Sequence, residues 1–118
     1  MQKQRRIVIT GVGAITPLGR EKKQIWSALC EGKSGIKPIT SFDTSAHEVH
    51  FGGEVSDFDP TTWFEIKEAR RLDRFAQFAV VAEIQAVEDA GLKLEGFDQT
   101  RFGVVIGSGR GGLLELET

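Results

Sequence analysis

Any chemistry in this sequence has to come from one thiol, two histidines, a run of basic side chains and two glycine clusters. Cys30 is the single cysteine, so an internal disulfide is impossible. On a helix it lies four residues from Trp26 and beside Leu29, apolar company in which a thiol is inert, and we assign it to the core rather than to catalysis. His47 and His50 are three apart. On a strand an odd separation sends them to opposite faces, so they read as surface or loop residues and not as ligands of one metal. Lys67, Arg70, Arg71 and Arg74 recur at i, i+3, i+4 and i+7, which on a helix gathers four positive charges on one face, with Glu65 and Glu68 to the side. Spacing alone leaves two readings of that face. It is either a solvated surface with local ion pairs or a dock for an acidic or phosphorylated partner.

The glycine clusters are the remaining candidates. "GVGAIT" follows a strand-like run, but the dinucleotide fingerprint needs glycine at position 16, where Thr16 stands, and no second strand ending in an acidic residue follows at the right distance. The later "GSGRGG" lacks the Gly-Lys-Ser/Thr ending of a phosphate-binding loop. Its glycines at 107, 109, 111 and 112 permit positive φ and close approach to a ligand. From spacing, a packing turn competes with a binding site. The turn lies at the carboxyl end of a strand, where open α/β sheets bind ligands.

The elements that would position these groups follow from the pattern. Arg6 to Val12 is a β-branched run of the kind that forms a central parallel strand buried on both sides. "GAITPLG" turns the chain, and a helix is expected from Arg20 to Glu31, with Gly19 as N-cap, Gly32 as stop and an inner face of Ile25, Trp26, Leu29 and Cys30. "GKSGIKPITSFDTS" reads as loop and "HEVHFGGEV" as a short strand weakened by Gly52 and Gly53. Asp59 before Pro60 starts a helix, and Asp73 starts a second one. In "FAQFAVVA", Phe75 to Ala82, the helix is apolar nearly all round, which predicts a central position, and Gly91 ends it. Phe102 to Ile106 is the last strand. The order β-α-β-α-β implies an α/β fold with a parallel sheet and right-handed crossovers.

Composition bounds the function. A chain of 118 residues, 40% apolar and 27% charged, is of single-domain size and buries about two thirds of its unfolded surface on folding. A net charge of −2 argues against a general nucleic-acid binder. "MQKQRR" before "IVITGVGAI" imitates a secretion signal, but two glycines interrupt the apolar run, no A-x-A site follows, and "REKK" comes soon after. No run approaches the ~18 apolar residues of a membrane span. A cytoplasmic location is expected.

Four blocks, "RRIVITGVGAITPLG", "IWSALCEGKSGI", "RRLDRFAQFAVVAEIQAVEDAGL" and "RFGVVIGSGRGG", together resemble the opening portion of a β-ketoacyl-[acyl-carrier-protein] synthase, most closely the elongating type of fatty acid synthesis. The resemblance implies a thiolase-like fold, layered α-β-α-β-α in a complete homodimeric protein, of which residues 1–118 would be a partial N-terminal domain. It also implies the reaction: an acyl group carried on a cysteine, malonyl-carrier-protein losing carbon dioxide, and the carbanion attacking the acyl thioester. No cofactor is called for. In the family the nucleophilic cysteine and two histidines follow later, so no catalytic residue is assigned here, and Cys30, His47 and His50 match none of them. Lys67, Arg70 and Arg71 fall where relatives present basic residues to the acidic carrier protein, and Ser108, Gly109, Arg110 and Gly111 match the turn lining the acyl pocket. Relatives often carry an apolar residue where Arg110 stands, and a guanidinium is costly to bury unpaired, so Arg110 either points elsewhere or marks a different acyl preference or a non-elongating relative. Two further classes stay open: a non-catalytic partner subunit of a polyketide system, and a nucleotide-binding α/β module.

Overall fold

A computed structural model describes residues 5–93, 95, 96 and 98–112. Its helices are α1 (Lys22–Cys30), α2 (Ile66–Ala69) and α3 (Arg74–Asp89), with 3-10 turns at Pro60–Thr62 and Gln99–Arg101. The one ladder among the described residues pairs β1 (Lys37–Pro38) with β2 (Phe51–Gly52), antiparallel, Lys37 opposite Gly52.

Helix ends follow the sequence closely. Asp73 is extended (φ −61°, ψ 155°), and its carboxylate accepts the Arg74 N–H to start α3. Gly91 (φ +61°) ends α3: its N–H donates to Glu88 O (3.0 Å) and that of Leu92 to Val87 O (3.2 Å). Gly32 (φ +67°) ends α1 the same way, through Gly32 N–H to Leu29 O (3.0 Å) and Lys33 N–H to Ala28 O (2.9 Å). Both are Schellman endings, in which glycine takes the left-handed conformation without a Cβ clash. The start of α1 falls two residues later than expected, at Lys22, because Gly19 is used elsewhere. Thr16 and Gly19 exchange backbone hydrogen bonds of 2.9 and 3.1 Å around a turn in which Pro17 pre-sets φ. Asp59 caps Thr61 N–H as its pairing with Pro60 foretells, but the result is a single 3-10 turn.

The core sits under α3. Phe58, Phe64, Ala69 and Val81 are buried, with Ile15, Val55, Leu72, Phe78 and Val80 packed on them. Phe58 meets Phe78 edge to face, with centroids 5.0 Å apart. The first glycine cluster has its use here. The Gly11–Gly13 backbone crosses α3 over a stripe of Ala82, Ala86 and Ala90, one per turn. A Cβ on Gly11 would sit 2.7 Å from Ala90 N, and one on Gly13 2.8 Å from Ala86 N. Side chains of α3 then hold the segment: Val12 N–H donates to Asp89 Oδ2 (3.0 Å) and Ala14 N–H to Gln85 Oε1 (3.1 Å). Gln85 Nε2 donates in turn to Arg20 O (2.6 Å), and Lys22 pairs with Asp89.

Three expectations are corrected. Arg6–Val12 and Phe102–Ile106 form no ladder among the described residues; Ile7 is 91% and Val105 99% exposed. A strand needs a neighbour to take its N–H and C=O groups, and neither segment has one here. On α1 the buried side is Ala28, with Ile25 half-buried, whereas Trp26 (69%), Leu29 (54%) and Cys30 are exposed, so Cys30 is not a core thiol. Only Gln77 and Val81 of α3 are buried, because the core covers this helix on one side. Altogether 10453 Å² is accessible, against roughly 6,300 Å² for a compact protein of 13.0 kDa. Apolar surface is left without cover.

Candidate functional site

The basic run does not lie on one continuous helix. One turn of α2 carries Lys67, then the chain leaves the helix so that Asp73 can cap α3, and Arg74 opens the new helix. Lys67, Arg70 and Arg71 are all exposed, and no ion pair among the described residues engages them. Arg74 departs from the predicted face. It is half-buried, its guanidinium donates to Phe58 O (3.0 Å) and Val55 O (2.9 Å), and it lies 4.9 Å from the Phe58 ring centroid and 5.1 Å from that of Phe78. Three of the four charges face solvent and the fourth is an internal tie.

Gln77 completes the support from below. It is 6% exposed, and its Nε2 donates to Ala69 O (2.8 Å) and to Leu72 O (3.0 Å). These carbonyls flank Arg70 and Arg71 in the chain. The sequence reading passed over Gln77, although an amide inside "FAQFAVVA" is itself a signal, since a buried amide must find partners.

The later glycine turn sits at the start of α3. Gly111 N–H donates to Ser108 Oγ (2.9 Å), and a Cβ on Gly111 would lie 2.7 Å from the Phe75 ring. Among its glycines only Gly112 has positive φ (+84°); Gly107 and Gly109 face open space, and Arg110 is exposed. Among the described residues two clefts stand out, and neither is lined by Ser108, Gly109, Arg110 or Gly111. One, of about 450 Å³, is apolar and runs between Ala79, Ala82, Ala86 and Ala90 of α3 and the Phe102–Ile106 segment. The other, of about 580 Å³, is bordered by Arg20, Lys22, Trp63, Gln85 and Glu88.

The histidines stay apart from both features. His47 packs on Phe42 (centroids 5.7 Å), and His50 Nδ1 is 3.2 Å from Thr44 Oγ1. They belong to the loop between β1 and β2, whose start is held by Glu54, two residues past β2. Hydrogen bonds from the Ser41 hydroxyl and the Thr40 backbone, in that order of size, hold the Glu54 carboxyl down at about 2. Asp43 and Asp59 lie below the usual carboxylate range for the same kind of reason, Asp43 through Ser45 N–H and Asp59 through the Thr61 hydroxyl.

Comparison with known proteins places this arrangement. Residues 4–118 match the family described as Beta-ketoacyl synthase, N-terminal domain. The 3-oxoacyl-[acyl-carrier-protein] synthase 2 of Synechocystis sp. is 50% identical over 115 residues, and the protein of the same name from Coxiella burnetii is 46% identical over 115 residues. Each alignment covers 98% of this chain and 28% of the relative, so the chain spans little more than a quarter of their length. Among solved structures, the ishigamide ketosynthase/chain length factor matches with a TM-score of 0.67 and 37% identity, over 77% of this chain and 23% of that one. The fold is the thiolase-like fold of a ketosynthase, present here as helices and a small sheet. With the match running from residue 4 to residue 118, the chain belongs to the β-ketoacyl synthase family, in its N-terminal domain.

Proposed function

We propose that these residues are the N-terminal part of an elongating 3-oxoacyl-[acyl-carrier-protein] synthase of fatty acid biosynthesis. The observation that carries this reading is the 50% identity, over nearly the whole chain, to a protein of that name. In the proposed reaction the acyl group is held as a thioester on a cysteine outside residues 1–118. The malonyl thioester loses carbon dioxide, its C2 carbanion attacks the acyl carbonyl, and the cysteine thiolate leaves. The chain grows by two carbons. Cys30, exposed at the end of α1, takes no part.

The residues present here would recruit and orient. Lys67, Arg70 and Arg71 offer positive charge to the acidic carrier protein, a long-range attraction that raises the rate of encounter. The Ser108–Gly111 turn would border the acyl chain; Arg110 within it is exposed. We place the complete protein in the cytoplasm as a homodimer. The structural likeness to a ketosynthase/chain length factor keeps a second reading in view, a non-catalytic partner subunit of a polyketide system.

Lys67→Glu with Arg71→Glu in the complete protein tests the docking assignment. Titration with acyl carrier protein at low salt should show affinity reduced roughly tenfold or more, since two attractions become repulsions. Unchanged affinity would remove the assignment. A condensation assay on the complete protein separates synthase from partner subunit by whether 3-oxoacyl product forms. Residues 1–118 alone should form none.

A further inference from the structure

We infer that Gln77 is a positioning residue for carrier-protein docking, acting through Arg70 and Arg71; the inference rests on the docking reading above. The segment that bears the charges is short. A single turn of α2 ends with Arg70 N–H on Ile66 O (3.2 Å) and Arg71 N–H on Glu68 O (2.9 Å), and the chain then turns to the Asp73 cap, so these two backbone bonds are all that the helix gives the arginines. Gln77 supplies what the helix lacks. Its amide grips Ala69 O at 2.8 Å and Leu72 O at 3.0 Å, the carbonyls on either side of Arg70–Arg71. It does so from a site 6% exposed, where water cannot substitute for it. One turn earlier on the same helix, Arg74 ties Val55 O and Phe58 O, the stretch that leads into the turn before α2. Residues of α3 thus hold the docking segment itself, through Gln77, and the stretch ahead of it, through Arg74, and each hold is one side chain donating to two backbone carbonyls. The charges meet the partner, whereas Gln77 and Arg74 meet only the protein. An acidic partner recognised at several points needs those points at fixed spacing, and a segment free to rotate would lose simultaneous engagement.

Gln77→Met in the complete synthase keeps the side-chain volume and removes the donor. With acyl carrier protein as thioester donor, KM should rise roughly five- to tenfold, through lost orientation of the charges, at unchanged kcat. With a small acyl-pantetheine thioester, which makes no protein contact at Arg70 or Arg71, neither constant should move. In an Arg70→Ala, Arg71→Ala background, Gln77→Met should add nothing further to KM, because the effect travels through those side chains. Arg74→Lys, which keeps the cation but cannot serve two carbonyls as a fork, is read by the same split if Gln77→Met fails to fold. Equal losses with both thioesters would overturn the inference, as would additivity in the arginine-free background. If Lys67→Glu with Arg71→Glu leaves the carrier KM unchanged, docking itself has failed; if that pair raises it and neither Gln77→Met nor Arg74→Lys does, docking stands and the positioning role falls.

Discussion

Glu54 shows how much one side chain can organise. Its carboxylate accepts from Thr40 N–H (2.8 Å), Thr40 Oγ1 (3.0 Å), Ser41 N–H (3.1 Å) and the Ser41 hydroxyl, closing the loop between β1 and β2. These bonds lower its ionisation from the ordinary 4.5 to about 2, so between those values the folded protein binds fewer protons than the unfolded chain. The contribution is full above pH 4.5 and is lost as pH falls through about 2. The Tm difference between the native protein and Glu54→Gln should therefore be constant near neutrality and shrink over that window. A difference that ignores pH would mean that the charge is not what closes the loop. Residue roles were legible where local chemistry decides them, as with Asp73 and Asp59, whose caps depend on their nearest neighbours. Arg74 was misread because its i+7 spacing is genuine but the helix is not continuous. Asp73, three residues after Arg70, is the cap that breaks the helix and turns Arg74 away from the other three charges.

At the level of elements, Gly13 and Gly32 are indispensable for different reasons. Gly32 has open space around it but φ of +67°, so alanine there meets only backbone strain, about 1–2 kcal/mol. Gly13 has no positive φ, but a methyl group would collide with α3 2.8 Å away at Ala86 N and closer still at Ala82 O. Gly13→Ala must push the segment off the helix and should cost about 1–3 kcal/mol in urea denaturation, with amide shifts changed along Ala82–Ala90. Gly32→Ala should change shifts only around the end of α1. Helix positions were readable because start and stop signals are local. The fit of Gly11 and Gly13 against an alanine stripe more than sixty residues away was not, since nothing nearby in the sequence marks which glycine meets which helix.

For the whole molecule the decisive quantity is unburied apolar surface. Ile7, Ile9 and Val105 are 91%, 85% and 99% exposed, and the radius of gyration is 17.9 Å against about 13.5 Å for a compact domain of this length. Hydropathy identified Arg6–Val12 and Phe102–Ile106 as material for a buried sheet; it records how much surface wants cover, not what provides it. The contrast makes a test. With residues 1–118 alone, Val105→Lys should alter stability by less than about 0.5 kcal/mol, as for any exposed position. In the proposed complete synthase the same change buries an unpaired ammonium in a sheet and should cost more than about 4 kcal/mol, or prevent folding. Equal effects in the two settings would refute the view that this segment is an interior strand of a larger domain.

The hydrogen bond from Val12 to Asp89 spans 77 positions, and the one from Ala14 to Gln85 spans 71. On a ribosome adding about 5–20 residues per second, the first partner waits roughly 4–15 s for the second to be made. Throughout that interval the segment that follows Ile7-Val8-Ile9 has no anchor, because the helix that holds Val12 and Ala14 does not yet exist. Slowing translation across the α3 codons lengthens the time for which that leading segment stays unanchored.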